Sequence, residues 1–181
     1  MRKSFIIFIF SSFCLISVNA QSGIEKTNTV EKIKGFADLY RYQNFYLGGQ
    51  PSQKELRWLK AQGVNKIINL RTKQENHQFS RNVYNEKAVV KELGIEYCSI
   101  PVNGSKDYSP AKLKAVSGQI KNDDRIFLHC AGAGRVTHFF MAYLIKSKGY
   151  TIDKAVEIGK QLTFSFPLEQ LLDIKITMEK R

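Results

Sequence analysis

A cysteine and an arginine enclose four small residues in the segment 126–135, which reads IFLHCAGAGR. Cys130 directly follows an apolar run. The residues from Ala131 to Gly134 have small side chains or none, so their backbone N–H groups can turn toward a ligand. Arg135 closes the loop with a positive charge. The helix predicted after it directs its unpaired N–H groups and its partial positive charge at the same point. The spacing therefore predicts a cradle for an anion.

The elements around this loop alternate between strands and helices. Apolar runs bounded by turn residues predict four strands, over 44–49, 64–70, 95–102 and 125–130. Helices are predicted over 51–63, 83–94, 110–122 and 136–145, and two amphipathic segments follow around 152–162 and 168–178. The alternation predicts an α/β fold whose central, mainly parallel sheet of four to five strands is flanked by helices. Ligands of such sheets bind beyond the carboxyl ends of the strands, where the cysteine loop lies.

Helix boundaries are marked by cap residues at several points. Ser52 and Glu55 form a capping box at the start of one helix, and Gly63 is suited to the left-handed residue at its end. Ser109 is an N-cap followed by proline at the first helical position. The polar stretch 72–80 has no apolar period, and we predict a loop there.

The first twenty residues have the composition of a secretory signal peptide. Two basic residues precede an apolar stretch, and Val18–Ala20 resembles a cleavage site. We therefore expect an exported protein, periplasmic or secreted, whose mature chain begins at Gln21 and does not stay inserted in a membrane. The polar residues 21–36 are expected to form a flexible lead-in, and 37–181 a single domain.

The formal net charge of +12 is distributed along the chain rather than gathered in runs. Dispersed basic residues are typical of a solvated surface, although the balance also suits an acidic partner. No basic run interleaved with aromatic residues appears, so we expect no nucleic-acid partner. We expect the protein to be a monomer.

Two cysteines, Cys98 and Cys130, remain after the predicted signal peptide, and in an oxidising compartment they could form a disulfide. Cys98 lies in the middle of its predicted strand, whereas Cys130 ends its own strand. In parallel strands this offset separates the two by roughly 13 Å, and a disulfide needs Cα atoms within about 7 Å. We therefore predict that both thiols are free.

The chain resembles the cysteine-dependent phosphatases, the protein tyrosine and dual-specificity superfamily. The resemblance rests on HCAGAGR between an apolar strand and a buried helix, together with GGQPS, INLR and LGIEYCSIPV in the same order. The resemblance covers roughly residues 45 to 150. This part of the chain is similar to small bacterial phosphatase-like domains, including those found beside β-lactamase-like hydrolases. It implies a phosphatase-like α/β domain.

The resemblance also implies roles for the loop residues. Cys130 would attack phosphorus as a thiolate, and Arg135 would hold two phosphate oxygens in a bidentate fork. The N–H groups from Ala131 to Arg135 would contact the remaining oxygens, and His129 would support the loop from behind, unless it is simply a buried core histidine. The substrate-binding residues implied in this way are His129, Ala131, Gly132, Ala133, Gly134 and Thr137.

The family also uses an acid on a separate loop to protonate the leaving group. Asp107 is the candidate, because it follows the strand expected next to the catalytic one. A loop aspartate of this kind can equally form a turn or cap a helix. Two interpretations stand for Arg71 and Glu75, either that they bracket the pocket or that they form a surface ion pair.

The loop departs from the common pattern, since four residues rather than five separate Cys130 from Arg135 and Val136 replaces the usual hydroxyl residue. Thr137 stands one position later. The shorter spacing also occurs in rhodanese-type sulfurtransferases, whose cysteine carries a persulfide. A second alternative is a phosphate-binding pseudophosphatase without turnover, and a third is a glycine-rich turn whose cysteine is only buried.

The function that these residues support best is that of an exported cysteine-dependent phosphatase. It would hydrolyse phosphomonoesters of a phosphoprotein or a small molecule through a cysteinyl-phosphate intermediate. The expected chemistry needs no metal and no cofactor.

Overall fold

The computed structural model describes residues 28–163 and 168–175. These residues form one six-stranded sheet with helices on both faces. The strands are β1 (Glu31–Lys32), β2 (Leu39–Tyr42), β3 (Phe45–Gly48), β4 (Lys66–Asn69), β5 (Glu96–Ser99) and β6 (Ile126–His129). The helices are α1 (Gln53–Ala61), α2 (Lys73–Asn82), α3 (Glu86–Glu92), α4 (Pro110–Ser117), α5 (Gly134–Lys148), α6 (Ile152–Lys160) and α7 (Glu169–Leu172), with a 3-10 helix at Gly104–Asp107.

The sheet has the strand order β1-β2-β3-β6-β4-β5. The four strands β3, β6, β4 and β5 run parallel, with Leu47 and Ile68 both level with Leu128. The two remaining strands, β1 and β2, extend one edge antiparallel. The predicted α/β class with a mainly parallel sheet is therefore confirmed, and β6, which carries the cysteine loop at its end, is flanked on both sides by parallel neighbours.

Both faces of the sheet are covered, as the continuous apolar runs predict. On one face Ile68 and Leu128 pack with Phe139 and Phe140 of α5 and with α4, α6 and α7. On the other, Phe127 packs with Leu56 of α1 and with α3. Helix α5 passes through the first of these cores with nine consecutive buried residues, 136–144, so the start of α5 is fixed in place directly after the loop.

Several predicted caps are present. Ser52 and Glu55 form both hydrogen bonds of the capping box at α1, and Gly63 adopts φ +83 after the helix. The Ser109 hydroxyl accepts from the backbone N–H of Lys112 at the start of α4. Each of these caps involves residues within one helical turn, so the local sequence is enough to predict it.

Other predictions were wrong. The stretch 72–80, predicted to be a loop, is mostly helix α2, which begins with a capping box between Thr72 and Glu75. Helix α2 buries none of its residues, so it has no apolar period to detect. Helix α3 begins at Glu86 rather than 83, because Asn85 caps it, and α4 ends at Ser117 rather than 122.

Two strands were not foreseen. Part of the expected lead-in 21–36 is strand β1, and Ile33 after it is buried, while 21–27 lie outside the described residues. Strand β2 adds a sixth strand to the four to five predicted. The signal-peptide prediction for 1–20 also lies outside the described residues. Among the described helices none combines the length and apolarity that crossing a bilayer requires.

Candidate active site

The cysteine loop lies at the carboxyl edge of the sheet, between the end of β6 and the start of α5. Cys130 is 1% exposed, and its N–H donates to the carbonyl of Gly48 at 3.3 Å. The segment after β3 runs along the loop: Gly49 and Gly132 form an antiparallel bridge, and the N–H of Gln50 donates to the carbonyl of Ala131 at 3.0 Å. A Cβ on Gly49 would lie 2.9 Å from that carbonyl oxygen, so this close approach requires glycine.

The loop backbone is tightly turned at Ala133, which adopts φ +62 just before α5. Alanine is rare in this left-handed region and is strained there. The N–H of Gly134 donates to the carbonyl of Gly132 at 2.9 Å, so it closes the turn instead of facing a ligand, unlike the expectation for the loop N–H groups. A Cβ on Gly132 or Gly134 would meet nothing within 4 Å, which leaves open space beside both residues.

Arg135 is held by an acidic partner from α2. Its Nη2 donates to Glu75 Oε1 at 2.6 Å and its Nη1 to Glu75 Oε2 at 2.8 Å. Nη1 also contacts the carbonyls of Val102 at 2.8 Å and Leu70 at 3.3 Å. The hydrogen bonds thus engage the two Nη atoms, and Nε takes no part in them. The Glu75 carboxylate thus orients the guanidinium of Arg135 beside the loop. The surface ion pair considered for Arg71 and Glu75 is not formed by their side chains, because Arg71 donates to the backbone carbonyl of Glu75.

The charges of this pair perturb one another. The hydrogen bond from Arg135 is the main reason that the pKa of Glu75 is lowered to about 2; burial opposes the shift, and the contacts with Thr72 reinforce it. The pKa of Arg135 is raised, chiefly by its hydrogen bond with Glu75. Burial lowers this pKa, and the interaction with Cys130 raises it further. Arg135 is therefore close enough to the sulfur to interact with it electrostatically.

His129 is completely buried directly behind the loop. Its Nε2 lies 2.8 Å from Glu86 Oε1 of α3, and its Nδ1 lies 3.4 Å from the carbonyl oxygen of Cys130. The imidazole and the carboxylate therefore face each other at ion-pair distance inside the protein. The ring also stacks on Phe127, with centroids 5.1 Å apart. His129 thus supports the loop from behind and is also a packed core residue.

Glu86 and Gln50 were not identified from the sequence as site residues. Burial tends to raise the pKa of Glu86, but His129, Gln50 and Arg71 outweigh it, and the pKa falls below its ordinary value. Gln50 donates from Nε2 to Glu86 Oε2 at 2.6 Å, and its Oε1 accepts from Arg71. The motifs GGQPS and INLR contain Gln50 and Arg71, so they carried a signal for this network, whereas nothing in the sequence marks Glu86.

Thr137 and Tyr108 also lie close to the loop. The Thr137 hydroxyl contacts the carbonyl of Ala133 at 3.1 Å and the hydroxyl of Thr163 at 2.9 Å, so these are its described partners, rather than the thiol. Burial raises the pKa of Tyr108, with a further rise caused by Cys130 and an opposing effect of Arg135. Tyr108 was not singled out from the sequence, and it brings a phenol near the sulfur.

Asp107 ends the 3-10 helix, and its Oδ2 accepts from the N–H of Asn103 at 2.7 Å. This is the turn-forming role considered for it. The strand before Asp107, β5, is not next to β6 as expected, because β4 lies between them. The hydrogen bonds described for Asp107 do not join it to Cys130 or Arg135, and its role as general acid stays a prediction.

Cys98 and Cys130 are both free thiols, as predicted, and strand β4 lies between their two strands. Within residues 28–163 and 168–175 no group of three or more His, Cys, Asp or Glu side chains is arranged to hold a metal ion.

Solved structures share this fold. The structure of TpbA from P. aeruginosa in complex with pTyr has a TM-score of 0.59 and 16% identity, covering 74% of this chain and 78% of its own. PTPMT1 has a TM-score of 0.57 and 20% identity over 70% of this chain and 84% of its own. A DUF442 protein from Shewanella putrefaciens CN-32 has a TM-score of 0.56 and 19% identity over 76% and 89%. At such identities the likeness concerns the fold.

No curated protein matches the sequence. A family model does: residues 19–169 match the family described as DSP-PTPase phosphatase fused to NAD+ kinase. The match spans most of the chain and includes the whole of the cysteine loop. The chain therefore belongs to this phosphatase family and is a member of the cysteine-dependent phosphatase superfamily.

Proposed function

We propose that the protein hydrolyses a phosphomonoester through a cysteinyl-phosphate intermediate. The observation that carries the proposal is the position of Arg135 beside Cys130, at the N-terminus of a 15-residue helix whose core packing fixes its direction. The guanidinium and the helix N-terminus both bring positive charge to the neighbourhood of the sulfur. A thiolate and a bound phosphate are both stabilised by this arrangement.

In the first step the Cys130 sulfur attacks phosphorus in line with the ester oxygen, the S–P bond forms and the P–O ester bond breaks. The Nε side of Arg135, which Glu75 leaves free, is suited to donate to the equatorial oxygens. Loop N–H groups that are not used within the turn contribute further donors. The leaving oxygen takes a proton, for which Asp107 is our candidate donor.

In the second step water attacks phosphorus, the S–P bond breaks and inorganic phosphate leaves. The acid of the first step, now deprotonated, accepts the proton of the water. His129 lies behind the sulfur and holds the carbonyl of Cys130, which keeps the loop in one shape through both steps. The basic surface favours phosphorylated substrates with additional negative charge.

The experiment is an assay of the purified mature chain with an aryl phosphate, with Cys130→Ser as the matched control. Phosphate release that depends on Cys130 supports the proposal. Binding of phosphate or tungstate without turnover would instead identify an anion-binding pseudophosphatase, and thiocyanate formed from thiosulfate and cyanide would identify a sulfurtransferase. Either of these two results contradicts the proposal.

The acid is tested by the leaving group. Asp107→Asn should slow the hydrolysis of an alkyl phosphate at least tenfold more than that of a nitrophenyl phosphate, because only the poor leaving group needs a proton. Asp123→Asn is the control, since Asp123 precedes β6 at the opposite edge of the sheet. Equal effects of Asp107→Asn on both substrates would remove Asp107 from the mechanism.

We also propose that the protein is exported as a monomer after cleavage behind Ala20. N-terminal sequencing of the protein recovered from its producing cells should begin at Gln21. An intact N-terminus in the recovered protein would contradict export by this route, and size-exclusion chromatography with light scattering tests the monomer.

A further inference from the structure

A chain of polar contacts, one of which goes through the backbone carbonyl of Glu75, connects the two flanks of the cysteine loop. The proposed reaction uses only the ends of this chain. In order, its members are Arg135, Glu75, Arg71, Gln50, Glu86 and His129. One end is the cation beside the nucleophile, and the other is the buried histidine behind it. We call this set the polar chain.

Gln50 is the middle of the polar chain and makes three contacts of different kinds. Its amide oxygen accepts from Arg71, its amide nitrogen donates to Glu86 at 2.6 Å, and its backbone N–H donates to the carbonyl of Ala131 at 3.0 Å. Only a side chain with both a donor and an acceptor can join a guanidinium to a carboxylate in this way. Glutamine therefore meets a requirement that neither glutamate nor methionine meets.

On the arginine side, Arg71 is 8% exposed and donates from Nη2 to the carbonyl of Glu75 at 3.1 Å. Its guanidinium lies over the ring of Phe79, 5.0 Å from the centroid. Glu75 is thus held by Arg71 at its backbone while its carboxylate holds Arg135. A shift of Arg71 would move the residue that orients the catalytic guanidinium.

On the histidine side, Glu86 is 6% exposed and faces His129 with one oxygen and Gln50 with the other. The buried carboxylate can be held only by such partners, because a buried charge without them is strongly unfavourable. A loss of the Gln50 contact would therefore free Glu86 to move away from His129.

We propose that Gln50 is a positioning residue that couples Arg135 to His129 through the polar chain, so that both flanks of the cysteine loop take up their working positions together. The effect on turnover rests on the proposed phosphatase function. The coupling itself is a property of the side chains and can be measured without turnover.

The first test compares Gln50→Met with Gln53→Met. Gln53 stands three residues later in α1, and its side chain contacts only Arg57 at 3.3 Å among the described hydrogen bonds. We expect Gln50→Met to lower kcat for an aryl phosphate at least tenfold per folded molecule, while Gln53→Met stays within twofold of the wild type. A Gln50→Met variant that is as fast as Gln53→Met would overturn the proposal.

The second test is a rescue with nearly isosteric changes, in case Gln50→Met folds poorly. Gln50→Glu places two carboxylates against each other and should lower kcat at least tenfold. Adding Glu86→Gln restores a donor and an acceptor across the contact, and we expect the double variant to recover at least threefold. A double variant no faster than Gln50→Glu alone would contradict the bridge.

The third test needs no turnover and is made in a Cys98→Ser background. The rate of Cys130 alkylation is measured with iodoacetate and with iodoacetamide, and their ratio reports how well Arg135 attracts an anion to the sulfur. We expect the ratio to fall at least threefold in Gln50→Met and to stay constant in Gln53→Met. A constant ratio in both overturns the proposal, whereas a fall in a protein without phosphatase activity would support the coupling and reject only the proposed function.

Discussion

Buried ion pairs lie at both the amino and the carboxyl edge of the sheet. The two sets differ in how many of their polar atoms have a hydrogen-bond or ion-pair partner. At the amino edge, Lys66 is 1% exposed and its Nζ lies 2.8 Å from the carbonyl of Gln119, 3.0 Å from Asp124 and 3.5 Å from Glu96. An ammonium has three donors; here it donates to the carbonyl of Gln119 and lies at ion-pair distance from two carboxylates. At the carboxyl edge, the polar chain leaves buried atoms without hydrogen bonds.

Four buried side-chain polar atoms lack a hydrogen-bond partner among residues 28–163 and 168–175. Three belong to the polar chain, namely Nε of Arg71, Oε1 of Glu86 and Nε2 of His129, and the other is Oε2 of Glu169. Unsatisfied buried groups are rare in folded proteins and call for an explanation. Two of these atoms, Oε1 of Glu86 and Nε2 of His129, face each other at 2.8 Å, so Nε of Arg71 is the donor of the polar chain that has no polar partner in the described part of the protein. Buried charge is therefore common to both edges, whereas a buried guanidinium with an unused donor is a feature of the carboxyl edge.

The largest effect is expected at the fully paired edge. Lys66→Met removes the charge but keeps most of the side-chain volume. It leaves the carbonyl of Gln119 without its lysine donor and Asp124 without its cation, although Asp124 still accepts from the N–H of Lys121 and the amide of Asn65. We expect the free energy of unfolding to fall by about 3 kcal/mol, measured in urea at pH 7. Catalytic constants at a temperature where the variant is folded should match the wild type.

A matched partner change makes this prediction sharper. Asp124→Asn in the Lys66→Met background should recover part of the loss, because it removes a carboxylate charge that no longer has a cation beside it. If Lys66→Met lowers kcat as strongly as it lowers stability, the two edges are not separable in the way that we describe.

The next largest effect concerns activity at the carboxyl edge. Arg135→Lys keeps a positive charge but loses the two parallel bonds to Glu75 and the planar fork for phosphate. We expect kcat/KM to fall at least about a hundredfold, or about 2.7 kcal/mol in transition-state stabilisation. Arg125→Lys is the control, because Arg125 donates to the carbonyl of Gln62 at the opposite edge and should leave kcat/KM within twofold.

Glu75 of α2 and Glu55 of α1 occupy the same capping-box position, but we expect them to contribute differently to the pH dependence of stability. The pKa of Glu75 lies at about 2 in the folded protein, below its ordinary value of 4.5, mainly because Arg135 donates to it. The stabilisation is therefore complete above about pH 4.5 and is lost as the pH falls toward 2.

Glu75→Gln should accordingly lower the free energy of unfolding at pH 7 by about 2 kcal/mol, with the difference from the wild type vanishing toward pH 2. Glu55→Gln, at the corresponding position of α1, should cost about 0.5–1 kcal/mol, because it removes only a capping contact. Equal losses in both variants would show that the Arg135 pair adds nothing to stability.

The smallest effect concerns the two ends of α5, where Ala133 and Gly149 have similar left-handed backbones at φ +62 and +71. Ala133→Gly should raise the free energy of unfolding by about 0.5 kcal/mol, because glycine relieves the strain, and Gly149→Ala should lower it by about 1 kcal/mol. Thermal unfolding measures both. A destabilised Ala133→Gly variant would show that the loop backbone is not strained at this position.

The elements around the site were predictable where local signals were strong. Strand β6 directly before Cys130, the capping box at Ser52 and the apolar helix after the loop all follow from short-range patterns. Helix α2 was missed because all of its residues are at least partly exposed and its only strong signal is the Thr72–Glu75 cap. Strands β1 and β2 were missed because they have only two and four residues, which is too short for a periodic pattern to stand out.

The site itself was predicted only in part, for a related reason. Cys130 and Arg135 are five positions apart, so their proximity is a local consequence of one turn. Glu75, Gln50 and Glu86 reach the same place from α2, from the end of β3 and from α3, and their convergence depends on strand order. A prediction that places elements in sequence does not by itself place side chains from three elements at one point.

The sequence by itself therefore determined the cysteine loop, the strand before it, the helix after it and the positive charge at its end, because backbone conformation over a few residues depends on those residues. Only the tertiary structure decided which partner holds Arg135, what lies against His129 and which loop N–H group is already used. These outcomes depend on distances between side chains far apart in sequence, and the packing of the whole sheet sets those distances.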